Sequence, residues 1–382
     1  MKVILVDPSR FTAPYDAELS EGLASAGVKA IWATRPVRAQ EAELLPPSAI
    51  RGIFYRNSDN LDKYGSRVRS VMKGISHLAG LLSLARLAAS EDAKVIHFQW
   101  SVLPIFDAIA MSVLRLRYRV ILTAHDTVPY NGEKISFLQN FGFDLPIRIV
   151  DGVIVHTEAA AARLVERGHK PRKIVVVPHG PLPLGVDIPA PKISNEGDPW
   201  TFTLFGQIKP YKGLDVLIKA LSLIRDEIRG KAKIIIAGAA HMDMAPIIDD
   251  IAAYGLSDLV DLRLGRLSEE EVAELFVNTD CFLFPYRQID ASGVFFLVSP
   301  FKKWVIASDV GVFQEQIKNE CNGTIVQPEN PSQLADAILQ AAKERPSVSA
   351  ESEIVPWKDI GILTKEVYSG KKHNNKDHNH DL

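Results

Sequence analysis

TFTLFGQIKPYKGLDVLIKAL, residues Thr201–Leu221, decides how this chain is read. An apolar run from Phe202 to Phe205 breaks at Gly206, passes Lys209 and Lys212, and restarts after Gly213 with Leu214, Leu217, Ile218 and Leu221 at helical spacing. The run reads as a buried strand and the stripe as the helix behind it. Both lysines then fall near the N–H groups of a helix start, where the dipole already favours an anion, so the outline is that of a phosphate site. An ordinary strand, turn and helix with solvated lysines fits the same letters.

Outward from that stretch the pattern repeats. Short apolar runs alternate with helical segments at 3–6, 29–33, 95–98, 120–124, 152–155 and 174–177, and again at 202–205, 233–237, 260–262, 281–284, 304–307 and 323–326. This alternation means an α/β protein with parallel, doubly wound sheets. Between the two sets lies PLPLGVDIPAPKISNEGDPW, Pro181–Trp200, dense in Pro, Gly and polar residues, which reads as a linker. The expected organisation is a first domain over 1–182, a linker over 183–200 and a second domain over 201–355. A helix over 356–370 is expected to cross back to the first domain. The polar tail 371–382, with three histidines, is expected to be disordered.

At 382 residues the chain is longer than one hydrophobic core usually supports, which agrees with two domains. A net charge of −2 with no basic, aromatic-interleaved run argues against nucleic acid as a partner. Only Cys281 and Cys321 are present, in no metal or redox spacing, and MKVILVDPS lacks a signal-peptide pattern. A cytoplasmic protein is expected, and any membrane contact should be peripheral because no apolar run approaches the roughly 20 residues that span a bilayer. One segment suits such contact. Tyr64–Ala89 interleaves Arg67, Arg69, Lys73 and Arg86 with Val71, Ile75, Leu78, Leu82 and Leu84, and LRLRYR follows at 114–119. It fits the anionic inner face of a plasma membrane, and equally a domain helix with a charged solvent face.

Doubly wound domains bind ligands where strand C-termini meet helix N-termini. In the first domain three strands end near a histidine: His97 in VIHFQW, His125 in ILTAHDT and His156 in VIVHTE. His125, beside Asp126, is the best placed for hydrogen bonding or proton transfer, although each histidine alone also fits a structural role.

The second domain, with LFGQIKPYKGLDVLI, IIIAGAA, RLSEEEVAELFVNTDCFLFPYRQIDASGVFFLV, VIASDVGVFQEQI and CNGTIVQPENPSQLADAI, resembles a GT-B glycosyltransferase of family GT4. TAHDTVPYN, VDGVIVHTEAAAARL and KIVVVPHGP extend the resemblance to the first domain, and PYRxI with SGV before VIASDxG resembles the exopolysaccharide and cell-surface glycan group. The resemblance implies two Rossmann-like domains facing across a cleft, a nucleotide-sugar donor on the second and an acceptor mainly on the first. It further implies retention of configuration and a polyprenyl-diphosphate-linked saccharide as acceptor.

Residue by residue, Lys212 looks like the family lysine that neutralises the donor diphosphate, and Gly206 like the glycine that lets backbone approach it. The family's GR pair is Gly206-Gln207 here, so Lys209 is the candidate second cation. No metal or other cofactor is expected, since lysines and helix-end amides can hold the leaving charge. Where the family carries two glutamates eight positions apart, this chain has Asp290 and Val298. Asp290 can present a carboxylate to the sugar or cap a helix, Val298 cannot grip a ribose, and Ser299 is a weak substitute. Ser292 and Gly293 would line the phosphates. Glu315 looks like the glutamate after the glycine loop, and also fits a solvated helix start.

After the first strand the family's Gly-Gly turn is replaced by DPSRFTAPYDAEL. There Arg10, Tyr15 and Asp16 are candidate contacts, with Arg10, Tyr15, His97 and Asp126 on the acceptor side. His125, Asp290 and Lys212 are the expected catalytic set. Rivals are an epimerase or hydrolase on the same architecture and a non-catalytic nucleotide-sugar-binding subunit. A nicotinamide dehydrogenase is disfavoured because no GxGxxG follows the first strand.

Overall fold

The computed structural model describes residues 1–38, 44–56, 66–127, 142–191, 197–319, 321–349 and 354–370. The tail from Lys371, the start of the basic segment at Tyr64 and the end of the TAHDTVPYN motif lie outside the described residues. The chain divides into two compact units, Met1–Gly180 with the segment from Val355, and Pro181–Ile354.

The first unit carries a parallel sheet of β1 (Lys2–Asp7), β2 (Lys29–Thr34), β3 (Ile50–Gly52), β4 (Val95–Phe98), β5 (Arg119–Thr123), β6 (Gly152–Val155) and β7 (Ile174–Val176). Its order is β3-β2-β1-β4-β5-β6-β7. Every residue of β4 and of β6 is buried, as a strand covered on both faces requires. β3 was not among the expected strands: its three residues, IRG, present no apolar run to mark them.

Helices 13–25, 66–90, 104–114, 144–149, 158–166 and 357–369 cover this sheet. Several begin where the sequence supplies a start. Pro104 opens one helix, and the Thr157 hydroxyl accepts the Ala160 N–H at another. The helix Trp357–Ser369 lies against Ala13–Ser25. Their backbones nearly touch, since a Cβ on Gly22 would stand 2.1 Å from the Trp357 carbonyl oxygen and one on Gly361 would stand 2.0 Å from that of Gly22.

The second unit's sheet comprises β8 (Trp200–Phe205), β9 (Ala232–Gly238), β10 (Val260–Leu264), β11 (Cys281–Phe284), β12 (Trp304–Ser308) and β13 (Gly323–Val326), in order β10-β9-β8-β11-β12-β13. Side chains alternate between two cores. Ile234, Ile236, Leu283 and Ile306 join the helices 214–228 and 331–344 on one face. Ile235, Phe282, Phe284 and Val305 join 269–277, 293–298 and 312–316 on the other. Those helices start on recognisable signals, Ser268 and Glu271 forming a reciprocal capping box and Asn330 capping Gln333. The described part of the Pro- and Gly-rich stretch packs on this unit: Leu182 N–H donates to Phe296 O at 2.9 Å and Gly185 N–H to the Glu269 carboxylate at 3.0 Å.

The helix contact gives a sharp expectation. Gly361→Ala should cost about 2–4 kcal/mol, because backbone rather than a flexible side chain would have to yield. Gly74→Ala, in a helix with nothing within 4 Å of the added methyl, should stabilise by about 0.5–1 kcal/mol. Urea unfolding of the two variants checks the pair, and equal stabilities would refute the packing.

Candidate functional site

In the second unit the site grows from the end of β8. Gly206 follows Phe205 with φ +103°, and a turn over Pro210–Lys212 ends at Gly213, which adopts φ +68° and starts the helix Leu214–Ile228. Gly213 admits no side chain, since a Cβ would lie 2.0 Å from the Pro285 carbonyl oxygen. The loops after β8 and β11 are thereby locked backbone to backbone. Arg287 adds to the lock: its guanidinium donates to Pro210 O (2.6 Å), Asp215 (2.6 Å) and Glu329 (3.0 Å).

Within this frame Lys212 is turned inward. It is 2% exposed, its Nζ donates to Phe205 O at 3.0 Å, and the Tyr286 ring lies 5.3 Å away. A Cβ on Gly206 would be 2.8 Å from Nζ, so only a glycine covers that side. Burial, and secondarily the charge of Lys209, bring the amine down from 10.5 to about 7.

In the first unit a polar network occupies the strand ends. His97 is fully buried, with Nδ1 on the Tyr368 hydroxyl (2.8 Å) and Nε2 on Thr123 (2.7 Å). His125 has Nε2 at 3.2 Å from the Gln99 amide oxygen and Nδ1 at 3.1 Å from His156 Nε2. His156 Nδ1 faces Val177 O at 3.0 Å, and His179 Nδ1 faces Gly180 O at 2.6 Å. With the Gln99 amide so oriented, His125 donates from Nε2 and accepts at Nδ1. His156 is then the ring whose two nitrogens both face acceptors. Burial, and then the His156 charge, hold His125 well below the usual histidine range and bring His97 and His179 each to about 3.

Aromatic rings enclose the network. Trp100 stacks on His125 at 4.9 Å, and Tyr15 stands 4.9 Å from His125, 4.9 Å from His179 and 5.1 Å from Trp357. Nearby, buried Asp7 accepts N–H bonds from Ser9 and Thr12, both at 3.2 Å. Asp16 is pushed well above the usual carboxylate range by burial and then by Asp7. His125, Asp126, Gln99 and Trp100 also line a cavity of about 50 Å³.

Comparison with known proteins fits this arrangement. Residues 15–181 match the model for Glycosyltransferase Family 4, and residues 189–353 match that for Glycosyl transferases group 1. Each of the two units thus carries a glycosyltransferase match. It is 28% identical over 172 residues to an uncharacterised glycosyltransferase of Methanocaldococcus jannaschii, covering 43% of each chain. It is 26% identical over 157 residues to a GDP-mannose-dependent alpha-(1-6)-phosphatidylinositol monomannoside mannosyltransferase of Mycobacterium tuberculosis, covering 39% of this chain and 40% of the relative. The chain thus spans about two fifths of the curated relatives it matches.

Similarity of fold extends further. Sucrose-phosphate synthase from Thermosynechococcus elongatus superposes with TM-score 0.74 at 16% identity over 97% of this chain and 98% of the other. Anabaena HepE, solved with UDP and glucose, gives 0.66 at 15% identity over 97% and 99%. Both doubly wound sheets are those of the GT-B fold.

The chain places its sequence-derived candidates unevenly. Gly206, Lys209 and Lys212 come together at the end of β8. Lys212, however, does not stay with the helix start, because its amine folds back to the strand-end carbonyl. Asp290 is 5% exposed and its carbonyl accepts the Val312 N–H, but it is not the helix cap. That role falls to Ser292, whose hydroxyl accepts Phe295 N–H at 3.3 Å, just before Gly293 opens the helix. Glu315 is exposed on the short helix Val312–Gln316. Val298 is 2% exposed in the aromatic core, so its side chain packs there and reaches no ligand. Ser299 Oγ donates to Phe296 O.

On the acceptor side the correction is larger. His97 is sealed from ligand with both nitrogens bonded, and Tyr15, 3% exposed, is core. His125 likewise has both ring nitrogens bonded, to Gln99 and to His156. Arg10 has φ +56° in the loop after β1, with Nη1 buried and without a partner among the described residues. His179, Gln99, Trp100, Tyr286 and Asp7 were missed. Each stands at or beyond a strand end, which is the signal that could have found them.

Burying Lys212 costs stability. The folded chain holds this proton less tightly than the unfolded chain, so the cost is fully present below about pH 7, shrinks as pH rises and is gone above the ordinary value of 10.5. Lys212→Met should therefore unfold at higher urea near neutrality, by on the order of 3 kcal/mol, with the advantage fading towards pH 10. An advantage independent of pH would contradict this account.

Proposed function

We propose that this glycosyltransferase moves a sugar from a nucleoside-diphosphate donor, UDP- or GDP-linked, to a saccharide carried on a polyprenyl diphosphate in the assembly of a cell-surface polysaccharide. The observation that carries the donor half is the Lys212 amine, turned inward beneath Gly206 with Lys209 beside it. As the bond between the sugar's anomeric carbon and the diphosphate oxygen breaks, negative charge collects on the leaving group. Lys212, Lys209 and the backbone around Gly206 and Gly293 stabilise that charge without a divalent ion. Asp290 orients the sugar hydroxyls, and Glu315 holds the donor from the neighbouring loop.

Transfer proceeds with retention. The acceptor oxygen bonds to the anomeric carbon as the phosphate oxygen leaves, and the acceptor's hydroxyl proton passes to that phosphate oxygen. His125 acts here as a positioning residue, keeping Trp100 and Gln99 in place for the acceptor. Relatives support a nucleotide-sugar donor without agreeing on the base. Anabaena HepE was solved with UDP-glucose, whereas the mycobacterial relative is GDP-mannose-dependent.

A non-catalytic reading has one observation in its favour, the packing of Val298 where the family has its second glutamate. Calorimetry with UDP, GDP and ADP in chelator-containing buffer separates these readings. One nucleotide should bind, and Lys212→Ala should weaken it by about 10²-fold or more. No binding by any nucleotide would overturn the donor site, and binding without turnover of any sugar nucleotide would favour the binding subunit.

A lipid-linked acceptor places the enzyme at a membrane. Among the described residues no helix is long and apolar enough to cross one. Two helices of the first unit nevertheless expose apolar stripes: Val68, Val71, Met72, Ile75 and Leu82 on Ser66–Ser90, and Phe106, Ile109 and Val113 on Pro104–Leu114, followed by Leu116. Arg69, Lys73, Arg86, Arg115 and Arg117 border them. Apolar side chains ringed by cations suit the surface of an anionic bilayer. The protein should co-sediment with vesicles containing about 30% anionic lipid, and the triple variant Val71→Glu/Ile75→Glu/Ile109→Glu should lose about tenfold or more of that binding. Equal binding of both proteins would remove this face from the proposal.

A further inference from the structure

We propose that donor binding is coupled to uptake of one proton by Lys212: the amine is uncharged in the unliganded site and becomes an ammonium when the donor diphosphate reaches it. The proposal rests on the reading of Lys212 as the diphosphate contact and adds how that contact is charged.

The geometry carries it. Lys212 Nζ has one hydrogen-bond acceptor, the Phe205 carbonyl, and one ring, Tyr286. Among the described residues no carboxylate pairs with it. The neighbouring elements bring the following charges. Its own turn supplies Lys209, of the same sign. The loop after β11 supplies the Tyr286 phenol, which burial keeps protonated, and Arg287, whose guanidinium is committed to Asp215, Glu329 and Pro210 O. Asp290, in the same loop, makes no ion pair with Nζ. A buried ammonium with a like charge beside it and no counter-ion gives up its proton. With burial and Lys209 bringing the amine to about 7, the uncharged form predominates above neutrality.

A diphosphate changes that balance. Its oxygens can approach at Gly206, which has no side chain of its own and is flanked there by Val294, and they supply the missing negative charge. The amine then takes a proton from solvent to form an ammonium paired with a phosphate oxygen; no covalent bond to carbon or phosphorus is made or broken. When the nucleoside diphosphate departs, the proton returns to solvent.

The test is calorimetry of the full chain with UDP, GDP and ADP at about pH 8, in two buffers of different ionisation enthalpy. A terminal phosphate, with a second pKa near 6, is already ionised there, so uptake belongs to the protein. Expected is about one proton taken up per nucleotide, and a dissociation constant that rises about tenfold per pH unit above pH 8. Lys212→Met should retain only weak binding, with an enthalpy that no longer depends on buffer. Wild-type binding with a buffer-independent enthalpy and a flat pH series would overturn the coupling while leaving the donor site standing. Undiminished uptake in Lys212→Met would also overturn it, by placing the proton elsewhere. No binding of any nucleotide by the wild type would overturn the donor-site reading itself. The wild-type pH series decides the matter even if the variant fails to fold.

Discussion

A lysine amine held out of water with a carbonyl, an aromatic ring and no counter-ion is the constraint around which the second unit is arranged. Left to itself it would move to solvent, since a buried cation without a partner costs several kcal/mol. The fold prevents this by making the turn rigid. Gly213 presses its backbone onto Pro285, Arg287 ties the turn to the helix start and to Glu329, and Phe276, Phe282, Phe284, Phe295 and Phe313 form a stiff aromatic floor below. Stability gained in that floor offsets a site kept incomplete. An anion then finds the amine already aimed, so little ordering remains to be done on binding.

The first unit solves a different problem. Its strand ends hold buried polar groups, and these are satisfied by one another: Thr123 and Tyr368 to His97, Gln99 and His156 to His125, and backbone carbonyls to His156 and His179. A fully bonded network in low dielectric is rigid, because breaking one link strands two buried groups. Tyr368 and Trp357 enter it from the C-terminal helix, whose approach depends on glycine at both Gly22 and Gly361. That helix is therefore part of the wall on which the strand ends are set. The histidines thereby help to shape the surface at the strand ends.

Much of the fold was legible in the sequence, because buried parallel strands are near-continuous apolar runs and their period cannot be mistaken for a surface element. Twelve such runs marked twelve strands, and β3 escaped because IRG at a sheet edge is only partly buried. The donor site was half legible. Gly206 and Lys212 stand in a spacing that only a phosphate site or an idle turn would produce, yet the direction of the lysine side chain depends on the Phe205 carbonyl and the Tyr286 ring, which lie seven residues upstream and in another loop. The histidine network was not legible. Whether a strand-end histidine faces ligand or core depends on what packs against it, and here Tyr15, Trp100 and Tyr368 come from three distant segments.

The departures at Asp290 and Val298 follow from the same packing. Val298 sits in a helix of six residues whose inward face is Phe295, Phe296 and Val298, all buried against the aromatic floor. A carboxylate there would be a buried charge with aromatic neighbours, so this chain cannot keep both that floor and the family's second glutamate. Asp290 is in a different position, at a loop where backbone bonds to Val312 fix its place and where Ser292 takes over the helix cap. Its carboxyl stands one methylene closer to the backbone than a glutamate's would. Under the donor reading proposed above, recognition concentrates at the diphosphate, where Lys212 and Lys209 supply charge, and position 298 offers no carboxylate to grip the ribose. Discrimination between donors then rests more on the base and sugar pockets than on the ribose they share.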